Sequence, residues 1–216
     1  MPIPSDYKAP IKMSAKDKAY TQIQEWIIDG TLLPGEKILD TELSRALEIS
    51  RTPIREALQL LGTQGFVEMK PGKETIVTRV KTDDLKDILT PLAALQSLAA
   101  GLATGYIDEK LLNELRITNH DFAAHVNNKD FYGALKLDEM FHMRIVQAAK
   151  NKYIWDMITM LQAHVRRYFF QKSLPLSKQS VIEHTKIIEA LEGGHMPDAE
   201  RYMKQNWLRP IDKMQL

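Results

Sequence analysis

The chain reads as a mainly α-helical protein, an N-terminal winged helix-turn-helix followed by an all-α antiparallel helical bundle. Three observations lead there. Two helical patterns meet across a very short turn just before Ser50, and two short β-prone runs then flank a basic tetrapeptide. Beyond residue 83, helical periodicity continues with short breaks and no further strand-like run. Residues 1–80 and 81–216 are therefore expected to form separate domains, and 216 residues is ample for two cores.

Residues 1–12 hold three prolines and little periodicity, an irregular arm. From about Ser14, the apolar set Ala19, Ile23, Trp26 and Ile27 falls at helical spacing, with Gly30 placed to cap a helix ending near Asp29. Leu32-Leu33-Pro34-Gly35 predicts a turn. Asp40 or Thr41 is expected to cap a short second helix carrying Leu43 and Leu47. Ser50 is expected to cap a third that runs to about Gly65, with Pro53 early enough that its missing amide hydrogen costs little. Phe66–Met69 and Thr75–Thr78 flank Lys70-Pro71-Gly72-Lys73 and predict a two-stranded wing with a basic tip. Helices follow near 83–104, 108–126, 130–149, 152–172, 176–192 and 197–212, broken at Gly105, Asn127-Asn128-Lys129, Asn151, Leu174-Pro175 and Gly193-Gly194.

Composition excludes more than it assigns. There is no cysteine, hence no disulfide framework, thiolate metal site or cysteine nucleophile. The N-terminus lacks the pattern of a signal peptide, and no segment approaches the roughly 18 apolar residues of a membrane span, so a cytoplasmic protein without membrane attachment is expected. Net charge is +1, and residues 1–80 carry 11 Lys/Arg against 11 Asp/Glu, so a nucleic-acid role must come from where charges sit. Arg51 and Arg55 answer that requirement. They lie four apart on one helix face and offer two guanidinium forks suited to phosphates and guanine edges. The alternative is that both are solvated, paired with an acidic neighbour such as Glu68.

The run Ile28-Asp29-Gly30-Thr31-Leu32-Leu33-Pro34-Gly35, then Leu43 and Leu47, then Ser50-Arg51-Thr52-Pro53-Ile54-Arg55-Glu56-Ala57-Leu58, then Leu61 and Gly65, resembles the GntR family of bacterial transcription regulators. The helical remainder resembles the effector-binding and dimerisation domain of its FadR-like subfamily, the FCD domain. This resemblance implies a ligand-responsive repressor that binds a pseudo-palindromic double-stranded operator as a homodimer, with a small-molecule effector such as a metabolite. It also implies DNA contacts from Ser50, Arg51, Thr52, Arg55 and the wing-tip Gly72. Hydroxyls suit phosphate contacts, and a glycine lets backbone approach a sugar-phosphate wall. Lys73 adds charge at the tip, and Thr41 stands where some relatives carry an arginine.

Asp138 and His142 stand four apart, so a carboxylate and an imidazole share one helix face, and His184 lies on another helix. This set is similar to the FCD pattern of one aspartate and three histidines around a divalent cation such as zinc or nickel. Asn206 stands where the third histidine is expected, a neutral oxygen that weakens zinc binding and favours harder cations. His164 is the one other histidine placed to contribute; His120, His125 and His195 read as solvated or turn residues. The alternative for Asp138, His142 and His184 is a buried hydrogen-bonded network without an ion. Leu92 and Gln96 occupy the positions where many FCD proteins carry an arginine and a glutamate for an effector carboxylate. Arg144, Arg166 and Arg167 are candidate replacement anchors, though Arg166 and Arg167 could line a dimer surface or face water. Met140, Met143, Met157, Met160 and Met203 read as pocket walls or plain core.

Two rival functions remain at this level. A metal-dependent hydrolase would use Asp138, His142 and His184 around an activated water, but no general base, HExxH motif or nucleophile elbow accompanies them, and a non-enzyme is expected. A constitutive DNA-binding protein would use the helical domain for dimerisation alone.

Overall fold

The computed structural model describes residues 13–69, 74–81, 84–172 and 176–214. The chain divides into two compact units, Met1–Arg79 and Val80–Leu216.

In the first unit, α1 (Ala15–Ile28) begins where the Ser14 hydroxyl accepts the Asp17 amide and ends at Asp29, followed by Gly30 at φ +84°, a left-handed turn that suits glycine. Its buried stripe, Ala19, Ile23, Ile27 and Ile28, packs on α3 (Arg51–Thr63), which contributes Ile54, Ala57, Leu58 and Leu61. Between them lies α2 (Asp40–Leu47), closed by Glu48 in the left-handed conformation. The expected wing strands form as β2 (Val67–Met69) and β3 (Thr75–Val77), paired antiparallel with Val67 opposite Val77. A third strand was not expected. Lys37–Ile38 forms β1 and pairs with β3, giving the order β1-β3-β2. Two residues are too few for alternation to register in sequence, and Ile38 earns its place by burial against the core.

The predicted caps need correction. Neither Asp40 nor Thr41 caps α2: Leu39 holds the N-cap position without a side-chain bond, and Asp40 is the first helical residue. Ser50 does hold the N-cap position of α3 but makes no capping hydrogen bond. A serine cap serves the amide of the second or third helical residue, and here the third is Pro53, which has none.

The second unit is helical throughout its described residues: α4 (Asp84–Ala103), a 3-10 turn (Thr104–Tyr106), α5 (Glu109–Asn127), α6 (Phe131–Ala148), α7 (Lys152–Lys172), α8 (Lys178–Glu192) and α9 (Met196–Met214). Helix α4 is its centre and packs on α9, α7 and α6, while α5 packs on α6 and α8. Burial of Leu85, Leu89, Leu92, Ala93, Ala99, Ala100 and Ala103 explains the apolar content of α4. That content corrects one expectation, since Asp84–Tyr106 is long and apolar enough to cross a membrane by length and composition. Here it serves as the core helix of a bundle. The break predicted at Leu174-Pro175 lies outside the described residues.

A candidate nucleic-acid interface and a candidate metal centre

Thr41, Ser50, Arg51, Thr52 and Arg55 are all exposed, gathered at the starts of α2 and α3; Gly72 and Lys73 lie outside the described residues. The two arginines are exposed and paired with an acidic neighbour, as the alternative had it, but that neighbour is Asp40 rather than Glu68. Both converge on Asp40: Arg51 Nη2 donates to Oδ1 and Oδ2 at 3.1 and 3.0 Å, and Arg55 Nε donates to Oδ2 at 2.6 Å. Hydrogen bonds from Arg55 and then Arg51 hold the Asp40 carboxyl below the usual carboxylate range. Such an exposed pairing adds little to stability.

In the bundle, Asp138 and His142 of α6 meet His184 of α8, all three buried, with one ligand atom from each within 4.8 Å of the others. His164 is not part of this cluster. Helical spacing stacks Asp138 under His142, and α5, which packs on both α6 and α8, supplies Asn119. Asn119 Nδ2 donates to the Val181 carbonyl at 3.1 Å and to Thr185 Oγ1 at 3.2 Å, which turns its Oδ1 toward His184 Nδ1, 3.1 Å away. The proton of a neutral His184 therefore belongs on Nδ1, and Nε2 faces Asp138 Oδ1 at 3.4 Å with a lone pair. Two acceptors facing each other in a buried site require a cation between them, either a proton or a metal ion.

His142 strengthens the case for an ion. Among the described residues neither buried ring nitrogen has a hydrogen bond of good geometry, although Asn206 lies beside the ring. Burial drives its pKa down to about 3 despite Asp138, so the imidazole is neutral and its lone pair available. Burial would raise Asp138, but the nearby His184, His142 and Arg209 outweigh it and hold the carboxyl below its usual range. Asn206 adjoins His142, and its Nδ2 donates to Glu183 Oε2 at 2.8 Å, which leaves the amide oxygen for other work. Arg209 fixes Glu183 through Nε at 2.9 Å and Ser180 through Nη2 at 2.6 Å. Asp138, Ser180, Asn206, Trp207 and Arg209 line a cavity of about 30 Å³. The ring of Phe141 stacks on His184 at 4.0 Å and walls the cluster from water. The residues fit a divalent cation.

The other sequence candidates separate from this centre. Arg144 lies two residues past His142, on another face of α6, and donates to the Glu114 carbonyl of α5 at 2.9 Å and to Thr118. Arg166 is 3.8 Å from Glu139, and Arg167 is buried rather than facing water, its pKa driven down to about 10 by that burial. Leu92 is plain core, and Gln96 is fully buried with neither amide atom bonded among the described residues. Of the five methionines named as pocket walls or core, Met203 is core, whereas Met140, Met157 and Met160 are exposed. Sequence reasoning missed Asn119 and Glu183. Asn119 did carry a signal: it interrupts the apolar stripe Leu112, Leu115, Phe122, where a polar residue needs a reason.

Comparison with known proteins adds identity to this geometry. The family described as "Bacterial regulatory proteins, gntR family" matches residues 15–77, and the FCD domain matches residues 87–207. The HTH-type transcriptional repressor RspR of Escherichia coli (strain K12) is 24% identical over 87% of this chain and 83% of its own length. The uncharacterized HTH-type transcriptional regulator YdhC of Bacillus subtilis (strain 168) is 25% identical over 85% of this chain and 84% of its own. Among solved structures, E. coli McbR/YncC superposes with a TM-score of 0.77 at 18% identity, covering 94% of this chain and 98% of that one, a likeness of fold. These relatives are transcriptional regulators and not enzymes, which removes the hydrolase reading. The chain belongs to the GntR family of bacterial regulators, its winged helix followed by an FCD domain.

Proposed function

We propose that the protein is a cytoplasmic, ligand-responsive repressor that binds a pseudo-palindromic operator as a homodimer. The exposed Arg51 and Arg55 pair carries the DNA-binding half of this reading, with Ser50, Thr52 and Thr41 beside it as phosphate contacts and Gly72 and Lys73 assigned to the wing tip. GntR-family regulators bind DNA operators, and RspR is named a repressor. A dimer is supported by the outer surface of the bundle. Helices α4 and α7 run antiparallel, with Asp84 acting on Arg167 at one end and Lys150 over the Tyr106 ring at the other. Between those ends, Leu98 and Leu102 of α4 and Tyr153, Met157 and Met160 of α7, each set at helical spacing, are exposed. Such exposed apolar faces are the kind of surface a second copy of the chain would cover.

Asp138, His142 and His184 would hold a divalent cation, with the Asn206 oxygen beside them favouring a harder ion than a third imidazole would. When bound, the ion supplies a fixed positive charge that an oxygen of the effector can use as an anchor. The chain's own residues do the rest: Asn119 sets the His184 tautomer, Glu183 and Arg209 orient Asn206, and Phe141 excludes water. The effector regulates by as much as its affinity differs between DNA-competent and incompetent arrangements. Arg51→Ala is expected to lower operator affinity about 10- to 100-fold without unfolding the protein, and unchanged binding in a gel-shift titration at fixed salt overturns the assignment.

A further inference from the structure

We infer that Asp40 is a positioning residue that sets DNA specificity: its carboxylate fixes Arg51 and Arg55 as a single fork and cancels one of their two charges, favouring base edges over indiscriminate phosphate binding. This rests on the DNA-binding reading of α3. The geometry is specific. Asp40 uses only Nη2 of Arg51 and only Nε of Arg55, so the remaining guanidinium nitrogens of both have no partner among the described residues. The carboxylate sits behind them, about one-fifth exposed, while the arginine side chains are more than half exposed. It therefore braces the arginines without occupying the edges they present.

The charge arithmetic points the same way. Two free arginines would present two phosphate-seeking charges at one spot of a domain whose overall balance already counts them, and phosphate neutralisation is blind to sequence. Sharing a carboxylate leaves the pair one net charge, while a guanine edge still finds two rigid donors on each fork. Asp40 belongs to α2 and the arginines to α3, so the brace also ties their starting ends together.

The test needs an operator, which the wild-type protein can select from a pool of randomised duplexes. Affinity for the selected duplex and for a random-sequence duplex of equal length is then measured by fluorescence anisotropy from 50 to 300 mM salt, for wild type, Asp40→Asn and Asp40→Glu. Asp40→Asn is expected to bind random duplex about tenfold tighter, lower the selected-to-random ratio by a similar factor, and steepen the log affinity against log salt slope by about one. Asp40→Glu is expected to recover most of the ratio. An unchanged ratio and slope overturns the inference. Equal weakening on both duplexes together with a lower Tm overturns it too, because it assigns Asp40 a merely structural role. A wild-type protein that enriches no sequence removes the DNA-binding reading itself, and Asp40's role with it.

Discussion

The starts of α2 and α3 and the Asp138 cluster both gather charged groups, and they handle them oppositely. At the first, two cations and one anion meet in water, where screening makes the arrangement cheap to hold and the arginines keep donors open for a partner. At the second, one carboxylate and two imidazoles are buried, and among the described residues part of their bonding capacity is unmet, which an entering cation would relieve. The lesson is that an exposed site keeps donors open for a partner, whereas a buried one is built around its ligand.

The contrast is tested most severely by Phe141→Ala, which removes a fully buried ring stacked on His184. It is expected to cost about 3–5 kcal/mol of stability, read by urea denaturation. Acid titration comes next. His142 is neutral in the folded bundle down to about pH 3, while in the unfolded chain it takes a proton near 6.5. The unfolded state thus binds more protons across that window, so stability is full above about pH 6.5 and falls as pH drops toward 3. In chelator-treated protein this loss is expected to reach on the order of a few kcal/mol by pH 4, and His142→Leu is expected to flatten it. Divalent ions should act in the opposite sense. Nickel or manganese at about 100 times its dissociation constant is expected to add about 2.7 kcal/mol, lost in His184→Ala, and a Tm that ignores every ion tried refutes the centre. The smallest effect is at the exposed site, where Arg51→Ala is expected to change stability by less than about 0.5 kcal/mol even as it weakens DNA binding. A large loss there would erase the contrast.

The two sites were also unequally legible in the sequence. Helix positions in both units followed from apolar spacing, because a stripe such as Ala19, Ile23, Ile27 repeats at the period of the helix itself. Asp138 and His142 could be paired from their spacing alone, and His184 joined them through the resemblance. Asn119 reaches the cluster from α5, 65 residues from His184 in sequence, and Glu183, beside His184 on α8, matters only through its bond to Asn206 on α9, so no local period marks either role. Asp40 escaped for a different reason. It sits 11 and 15 residues from its arginines, across a turn whose geometry decides whether it meets them, and reading it as a cap gave its carboxylate other employment. Strand β1 was missed because two residues carry no pattern, and the wing-tip residues Gly72 and Lys73 lie outside the described residues.

Pro53 has an effect that outlasts its place in the helix. By removing one amide that Ser50 would serve, it leaves the start of α3 without a side-chain cap, and the amides of Arg51 and Thr52 keep their appetite for an acceptor. A phosphate oxygen arriving at that terminus would complete the helix, with the aligned peptide dipoles drawing it in. Nucleic acid would then be a missing piece of the protein's own secondary structure, and slowed hydrogen exchange at those two amides on binding would register its arrival.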